Sequence, residues 1–131
     1  MRKHASQYEG LQKDIRKLKL PKLESWRNQY PDKDYTIRLE TDEFTCICPK
    51  TGLPDFANIF IDYRPSKLCM ELKSFKLYLS QFRNVGIFHE HVTCRILDDL
   101  VAATKPKWAK IRAEFKSRGG IRTTIEREYT P

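Results

Sequence analysis

Two residues joined by a tight connection have the types needed for covalent chemistry. Within residues 43–57, EFTCICPKTGLPDFA, Cys48 closes an apolar run and Asp55 follows the second of two prolines. Proline fixes its own φ and biases the preceding residue towards extended backbone. Pro49 therefore ends a strand at Cys48, Thr51-Gly52 turns the chain, and Pro54 delivers Asp55 to the start of the next strand. A thiol with a carboxyl nearby is suited to attack on an electrophilic carbon with proton transfer. Plainer roles stand beside this one. A buried cysteine is a small inert hydrophobe, and Cys46 competes with Cys48 for both parts. An Asp after Pro in a turn commonly bonds its own backbone. The sequel Pro49-Lys50 favours Cys48, because an inward lysine would lower the thiol pKa.

Two further stretches can bind. Phe88-His89-Glu90 stands at the start of a helix. An acid in a first turn suits the helix dipole without any ligand, and Phe88 fits a core equally well. In a purine-like site, Glu90 accepts from an amino group and a ring N–H. Phe88 offers apolar contact to a flat ring, and His89 donates or accepts near the reacting group. Residues 71–78, ELKSFKLY, place Lys73 and Lys76 three apart on a helix, next to Glu71 and Ser74. Such a pair is usual on a solvated face. It also suits a phosphate-rich cofactor, and there is no Gly-rich Rossmann fingerprint to bind one otherwise. Arg118, before Gly119-Gly120, is a further candidate phosphate contact.

The elements that must position these groups follow from periodicity. Residues 35–48 alternate in two phases: Tyr35, Ile37 and Leu39 on one parity, Phe44, Cys46 and Cys48 on the other. The change predicts a bulge near 41–43. Residues 56–63 form the partner strand of a hairpin, and 68–71 form a short extended piece. Phe75, Tyr78, Leu79 and Phe82 give a helical face over 74–84, and Val92, Ile96, Leu97, Leu100 and Val101 give another over 89–104. Lys105-Pro106 stops the second helix. Residues 108–116 and 121–129 make a second hairpin around Arg118-Gly119-Gly120. The order ββααββ predicts an α+β layer: a four-stranded antiparallel sheet with two helices on one face. Residues 1–34 read as a basic, partly helical arm, with Leu11, Ile15 and Leu18 on one face, and residues 35–131 as a single catalytic domain.

At 131 residues one domain is expected. The net charge of +8 favours anionic partners, whether nucleic acid or a phosphate-bearing cofactor. Nine Lys/Arg against five Asp/Glu fall in the first 34 residues, so much of the excess reads as a solvated basic face. No apolar run approaches the ~20 residues of a membrane helix, and MRKHASQYEG lacks the apolar core of a secretion signal. A cytoplasmic location and free thiols at Cys46, Cys48, Cys69 and Cys94 are the expectation.

CPKTGLPDFA, followed by ELKSFKLY and FHE, resembles the 7-cyano-7-deazaguanine reductases in their short, single-module form. These are NADPH-dependent nitrile reductases of queuosine biosynthesis, a tRNA modification. The resemblance runs from about residue 43 to 120, with the three motifs in the family's order and spacing. It implies that Cys48 adds to the nitrile carbon to give a thioimide while Asp55, as general acid, protonates the nitrogen. An acid in that role must hold a proton, which burial favours. The resemblance assigns Glu90, His89, Phe88, Glu71 and Ser74 to the substrate, and Lys73, Lys76 and Arg118 to NADPH, with no metal. It implies the tunnelling fold, whose subunits join edge to edge into a barrel. Rings of five, stacked in pairs, with active sites at subunit interfaces, are the corresponding expectation. No membrane and no direct nucleic-acid contact are implied.

Three other readings compete with this one. Cys46, Cys48, His89 and His91 could form an S₂N₂ zinc site, although neither pair has the usual structural-zinc spacing. An amidinotransferase acting on the same nitrile in tRNA would reuse Cys48 and Asp55 without NADPH. The complete ELKSFKLY motif argues against it. A non-enzymatic RNA-binding module is allowed by the charge but supported by no nucleic-acid motif.

Overall fold

A computed structural model describes residues 10–131 of the chain. The elements are β1 (Ser25–Arg27), β2 (Ile37–Ile47), β3 (Pro54–Arg64), β4 (Leu68–Met70), α1 (Leu72–Gln81), α2 (His89–Thr104), β5 (Trp108–Arg118) and β6 (Ile121–Tyr129). Single 3₁₀ turns occupy Ile15–Lys17 and Phe82–Asn84. The main sheet has the antiparallel order β2-β3-β5-β6, with two hairpins joined by the helical crossover between β3 and β5. This is the α+β architecture that the periodicity predicts. β1 pairs with β4 in a separate two-stranded ribbon. All three residues of β1 are exposed, so no alternation in the sequence marks it.

The β2–β3 register slips between Thr41 and Phe44, where the change of parity predicts a bulge. The extra residue lets Ile37 and Leu39 share a sheet face with Phe44 and Cys46 despite their opposite parities. On β3 and β5 every second residue is buried: Ala57, Ile59, Ile61 and Tyr63, then Ala109, Ile111, Ala113 and Phe115. Ile96, Leu97 and Leu100 of α2 and Phe75 and Tyr78 of α1 complete the same core, so both helices cover one face.

α1 begins two residues before the periodicity places it. The Glu71 carboxylate, as N-cap, accepts from Lys73 N–H at 2.8 Å and Ser74 N–H at 2.7 Å, satisfying two donors that the first turn leaves unpaired. α2 starts at His89 and ends on Lys105 in a left-handed conformation, φ 46°, ahead of Pro106. From residue 10 onward the basic arm packs on the body: Leu23 is a core residue, and Ile15, Leu18 and Leu20 lie against the core.

Candidate active site

The hairpin between β2 and β3 is shaped by its own backbone. Ile47 pairs with Pro54, Cys48 N–H bonds Leu53 O at 2.9 Å, and Gly52 N–H bonds Cys48 O at 2.8 Å. Gly52 takes φ +72°, a conformation that side-chain-bearing residues rarely adopt, so a glycine here lets the turn close. Cys48 is thus the first residue beyond the paired strand, and Asp55 is the second residue of β3, opposite Cys46.

The two thiols differ in environment. Cys46 is fully buried, with Sγ 3.9 Å from Ile87 O. Burial, together with the charges of Asp55 and Cys48, pushes its pKa up to about 12. Cys48 is half-buried. Burial raises its pKa too. The Thr51 hydroxyl and the backbone N–H groups of Thr51 and Lys50 outweigh that effect and the opposing Asp55 charge, leaving the thiol below its ordinary range. Lys50 acts here through its N–H. Thr51 is a candidate site residue that no motif of the sequence singled out, although its place three residues after the cysteine in a turn is a usable signal.

Asp55 is buried at the head of β3 with both carboxylate oxygens engaged. His89 Nε2 stands 3.0 Å from Oδ2 and Arg118 Nε 3.0 Å from Oδ1. The Arg118 guanidinium also donates to the Pro54 carbonyl, locking the β5–β6 turn against the start of β3. The His89 ring stacks on Phe115, with centroids 3.7 Å apart and planes 8° from parallel, which fixes the imidazole plane towards Asp55. Phe115 was legible only as a core position. Phe88 precedes α2 as its N-cap, and Glu90 lies exposed in the first helical turn. The turn that leads to α2 is held by Ile47, whose N–H bonds Val85 O and whose carbonyl accepts from Ile87 N–H, each at 2.9 Å.

The fold therefore gathers Cys48, Asp55, His89, Phe88, Glu90 and Arg118 at one end of the sheet. It does not bring Glu71, Ser74 and Lys73 there. Glu71 caps α1, and Ser74 Oγ donates to Glu71 O and accepts from Glu24 N–H, both at 2.9 Å. The neighbouring Met70 N–H bonds Tyr63 OH, and Tyr63 pairs with Ile37, at the other end of β2 from Cys48. Arg118 stands with Asp55, apart from this group. Lys76 lines a groove of about 480 Å³ between α1 and β2, together with Leu39, Thr41, Phe75 and Arg83. Arg83 is a second groove cation that no motif signalled. The four residues of the zinc alternative take separate partners: Cys46 Ile87 O, Cys48 Thr51, His89 Asp55, and His91 Gln12.

The model of the family described as QueF-like protein matches residues 54–131, opening on the strand that carries Asp55. The NADPH-dependent 7-cyano-7-deazaguanine reductase of Chloroherpeton thalassium is 60% identical over 107 residues, 82% of this chain and 92% of that protein. The reductase of the same description from Halorhodospira halophila is 56% identical over 107 residues, 82% of this chain and 91% of the relative.

This chain belongs to the QueF family. A crystal structure of the archaeosine synthase QueF-Like in its apo form superposes with a TM-score of 0.66 over 71% of this chain and 91% of that one. At 22% identity it shows that the fold is shared. The family-model match, residues 54–131, takes in Asp55, His89, Glu90 and Arg118 and begins six residues after Cys48.

Proposed function

We propose that the chain reduces 7-cyano-7-deazaguanine to 7-aminomethyl-7-deazaguanine at the Cys48–Asp55 hairpin. The observation that carries this is the pairing of a half-exposed, acidified thiol with a buried carboxyl in contact with an imidazole. Cys48, as thiolate, adds to the nitrile carbon. The nitrogen takes a proton from the Asp55–His89 pair, giving a thioimide on Cys48. His89, held flat on Phe115, keeps the pair aligned. Glu90, exposed at the head of α2, accepts from the amino and ring N–H edge of the deazapurine, and Phe88 meets its flat face. Glu71 and Ser74 stand away from this hairpin in the chain described and fix the start of α1.

NADPH supplies hydride, and two equivalents with two protons balance nitrile to primary amine. Lys76 and Arg83 in the groove, with Lys73 one turn away, fit its phosphates; no Gly-rich loop competes for them. From Thr41 to Cys48 is about 23 Å at roughly 3.3 Å per residue, a span long enough for cations at both ends to hold a dinucleotide. Arg118 is the cation at the far end of that run, where it also balances Asp55.

The working form in this reading is a homo-oligomer. β2 and β6 are the two edges of the sheet, with unpaired backbone groups. A second copy joined edge to edge would cover the groove beside β2 and close the site at the interface, as in a ring of five or a stacked pair of rings. No helix among the described residues is long and apolar enough to cross a membrane.

The test is direct. Purified protein mixed with 7-cyano-7-deazaguanine and NADPH should consume two NADPH per amine formed. Without NADPH it should gain the mass of one nitrile on Cys48. No NADPH consumption and no adduct would refute the proposal. An adduct without any NADPH oxidation would favour the amidinotransferase reading.

A further inference from the structure

Residues 10–18 of the arm carry no motif used in the catalytic reading, yet they are bound along α2. Arg95 donates to Leu18 O at 2.6 Å and Ile15 O at 3.4 Å. Its Nε bonds Asp99 at 2.8 Å, and Asp99 also accepts from the buried Tyr78 hydroxyl at 2.6 Å. At the head of this strap, the Gln12 side chain spans the turn that opens α2. Its Nε2 donates to Gly86 O at 3.3 Å, and its Oε1 accepts from Phe88 N–H at 3.2 Å and lies 2.9 Å from His91 Nδ1.

The chemistry fixes the orientation of this amide. A backbone carbonyl only accepts and a backbone N–H only donates, so Nε2 must face Gly86 and Oε1 must face Phe88. His91 then completes the bracket only with its proton on Nδ1. α2 has no side-chain cap of its own, since Phe88 at the N-cap offers no polar atom. In a capping box, a Glu or Gln at the third helical position reaches back to the N-cap N–H. Here His91 holds that position, and Gln12, more than seventy residues away in sequence, makes the bond instead. On its other side the turn is bonded to Ile47, next to Cys48.

We propose that Gln12 is a positioning residue for the deazapurine nitrile: it sets the turn that presents Phe88, His89 and Glu90 opposite Cys48. This rests on the reading of residues 88–90 as the heterocycle-binding turn. The test uses the full chain with Gln12→Met, which keeps the length and removes the three bonds to the turn and α2, and Gln12→Glu, which keeps the acceptor. Three quantities are measured: nitrile affinity from adduct titration without NADPH, KM for NADPH, and melting temperature. Gln12→Met should weaken nitrile affinity about five- to tenfold, the scale of one or two exposed hydrogen bonds, with KM for NADPH within twofold of wild type. Gln12→Glu should recover part of that loss. Gln12 is half-exposed on the arm, so these variants leave the core intact.

A lower melting temperature with unchanged nitrile affinity would give the arm a structural role only and overturn the proposal. Equal losses for nitrile and NADPH would also overturn it. Phe88→Ala and Glu90→Gln separate the layers. If those two bind nitrile normally, the underlying reading of residues 88–90 is wrong. If they lose affinity and Gln12→Met does not, the Gln12 inference alone is wrong.

Discussion

Thr51→Val replaces the hydroxyl that bonds the Cys48 sulfur with a methyl group of nearly the same shape. Hydrogen bonds to charged groups contribute about 1.5–3 kcal/mol. Cys48 is half-buried and water can partly replace the lost donor, so the low end applies. The N–H groups of Lys50 and Thr51 remain. A loss of about 1.4 kcal/mol is tenfold, so at a fixed pH on the rising limb the thiolate population drops about tenfold. The surviving thiolate is more basic and more nucleophilic, with a Brønsted coefficient of ~0.4–0.5, which returns about half of that loss on a logarithmic scale. The net expectation is roughly threefold slower thioimide formation in the variant near neutral pH. The sign with pH follows. The folded thiol lies below its ordinary pKa, so wild-type addition levels off at a lower pH than for an ordinary cysteine. Thr51→Val moves that plateau upward, and at high pH its rate meets or exceeds the wild-type rate. Stopped-flow absorbance of the adduct without NADPH, from pH 5.5 to 10, reads this, with Thr51→Ser as the control that keeps the hydroxyl. Coincident profiles would show that Thr51 does not hold the thiolate. A uniform loss at every pH would show damage to the hairpin instead of an electrostatic effect.

Brief iodoacetamide treatment near pH 8 should alkylate Cys48 and spare Cys46, whose thiol is buried and pushed up to about 12; peptide mass spectrometry showing Cys46 labelled first in the folded protein would reverse the assignment. Asp55→Asn keeps the shape against His89 and Arg118 but removes the transferable proton, and adduct formation should slow by about 10²–10⁴. Lys76→Ala should raise KM for NADPH and leave the cofactor-free adduct unchanged, with NADH a poor donor in the wild type; equal turnover with both nucleotides would remove Lys76 from the cofactor site. Glu90→Gln should weaken nitrile binding by about 1.5–3 kcal/mol, measured by adduct titration, and unchanged binding would leave Glu90 as a helix-start acid.

Much of the frame is local physics and was legible without coordinates. Pro49 and Pro54 restrict their own φ and their neighbours' backbone, so the hairpin and the placing of Cys48 and Asp55 at strand ends follow from the chain itself. The parity break around Thr41–Phe44 announces the bulge because alternation is a property of neighbouring residues. The start of α2 at His89 and its stop at Lys105-Pro106 are likewise written locally. Where local signals are weak, the reading falls short: β1 has no buried residue to give it a period, and the cap on α1 depends on the Glu71 carboxylate folding back on its own turn.

The choice between the two cysteines belongs to the tertiary structure. Cys46 and Cys48 share parity and composition, and what separates them is depth. Cys46 is covered by Ile87 from the helical crossover, whereas Cys48 sits past the last paired residue, where the N–H groups of Lys50 and Thr51 turn towards sulfur. The same holds for Arg118. Its sequence context is a glycine turn, and only the β3–β5 register, set by the buried stripe from Ala57 to Tyr63 against Ala109 to Phe115, carries it to Asp55, more than sixty residues earlier. Backbone restrictions act between neighbours and can be read along the chain. Burial and cross-strand contact depend on which distant segments the core brings together, and these decide which thiol is buried and what faces Asp55.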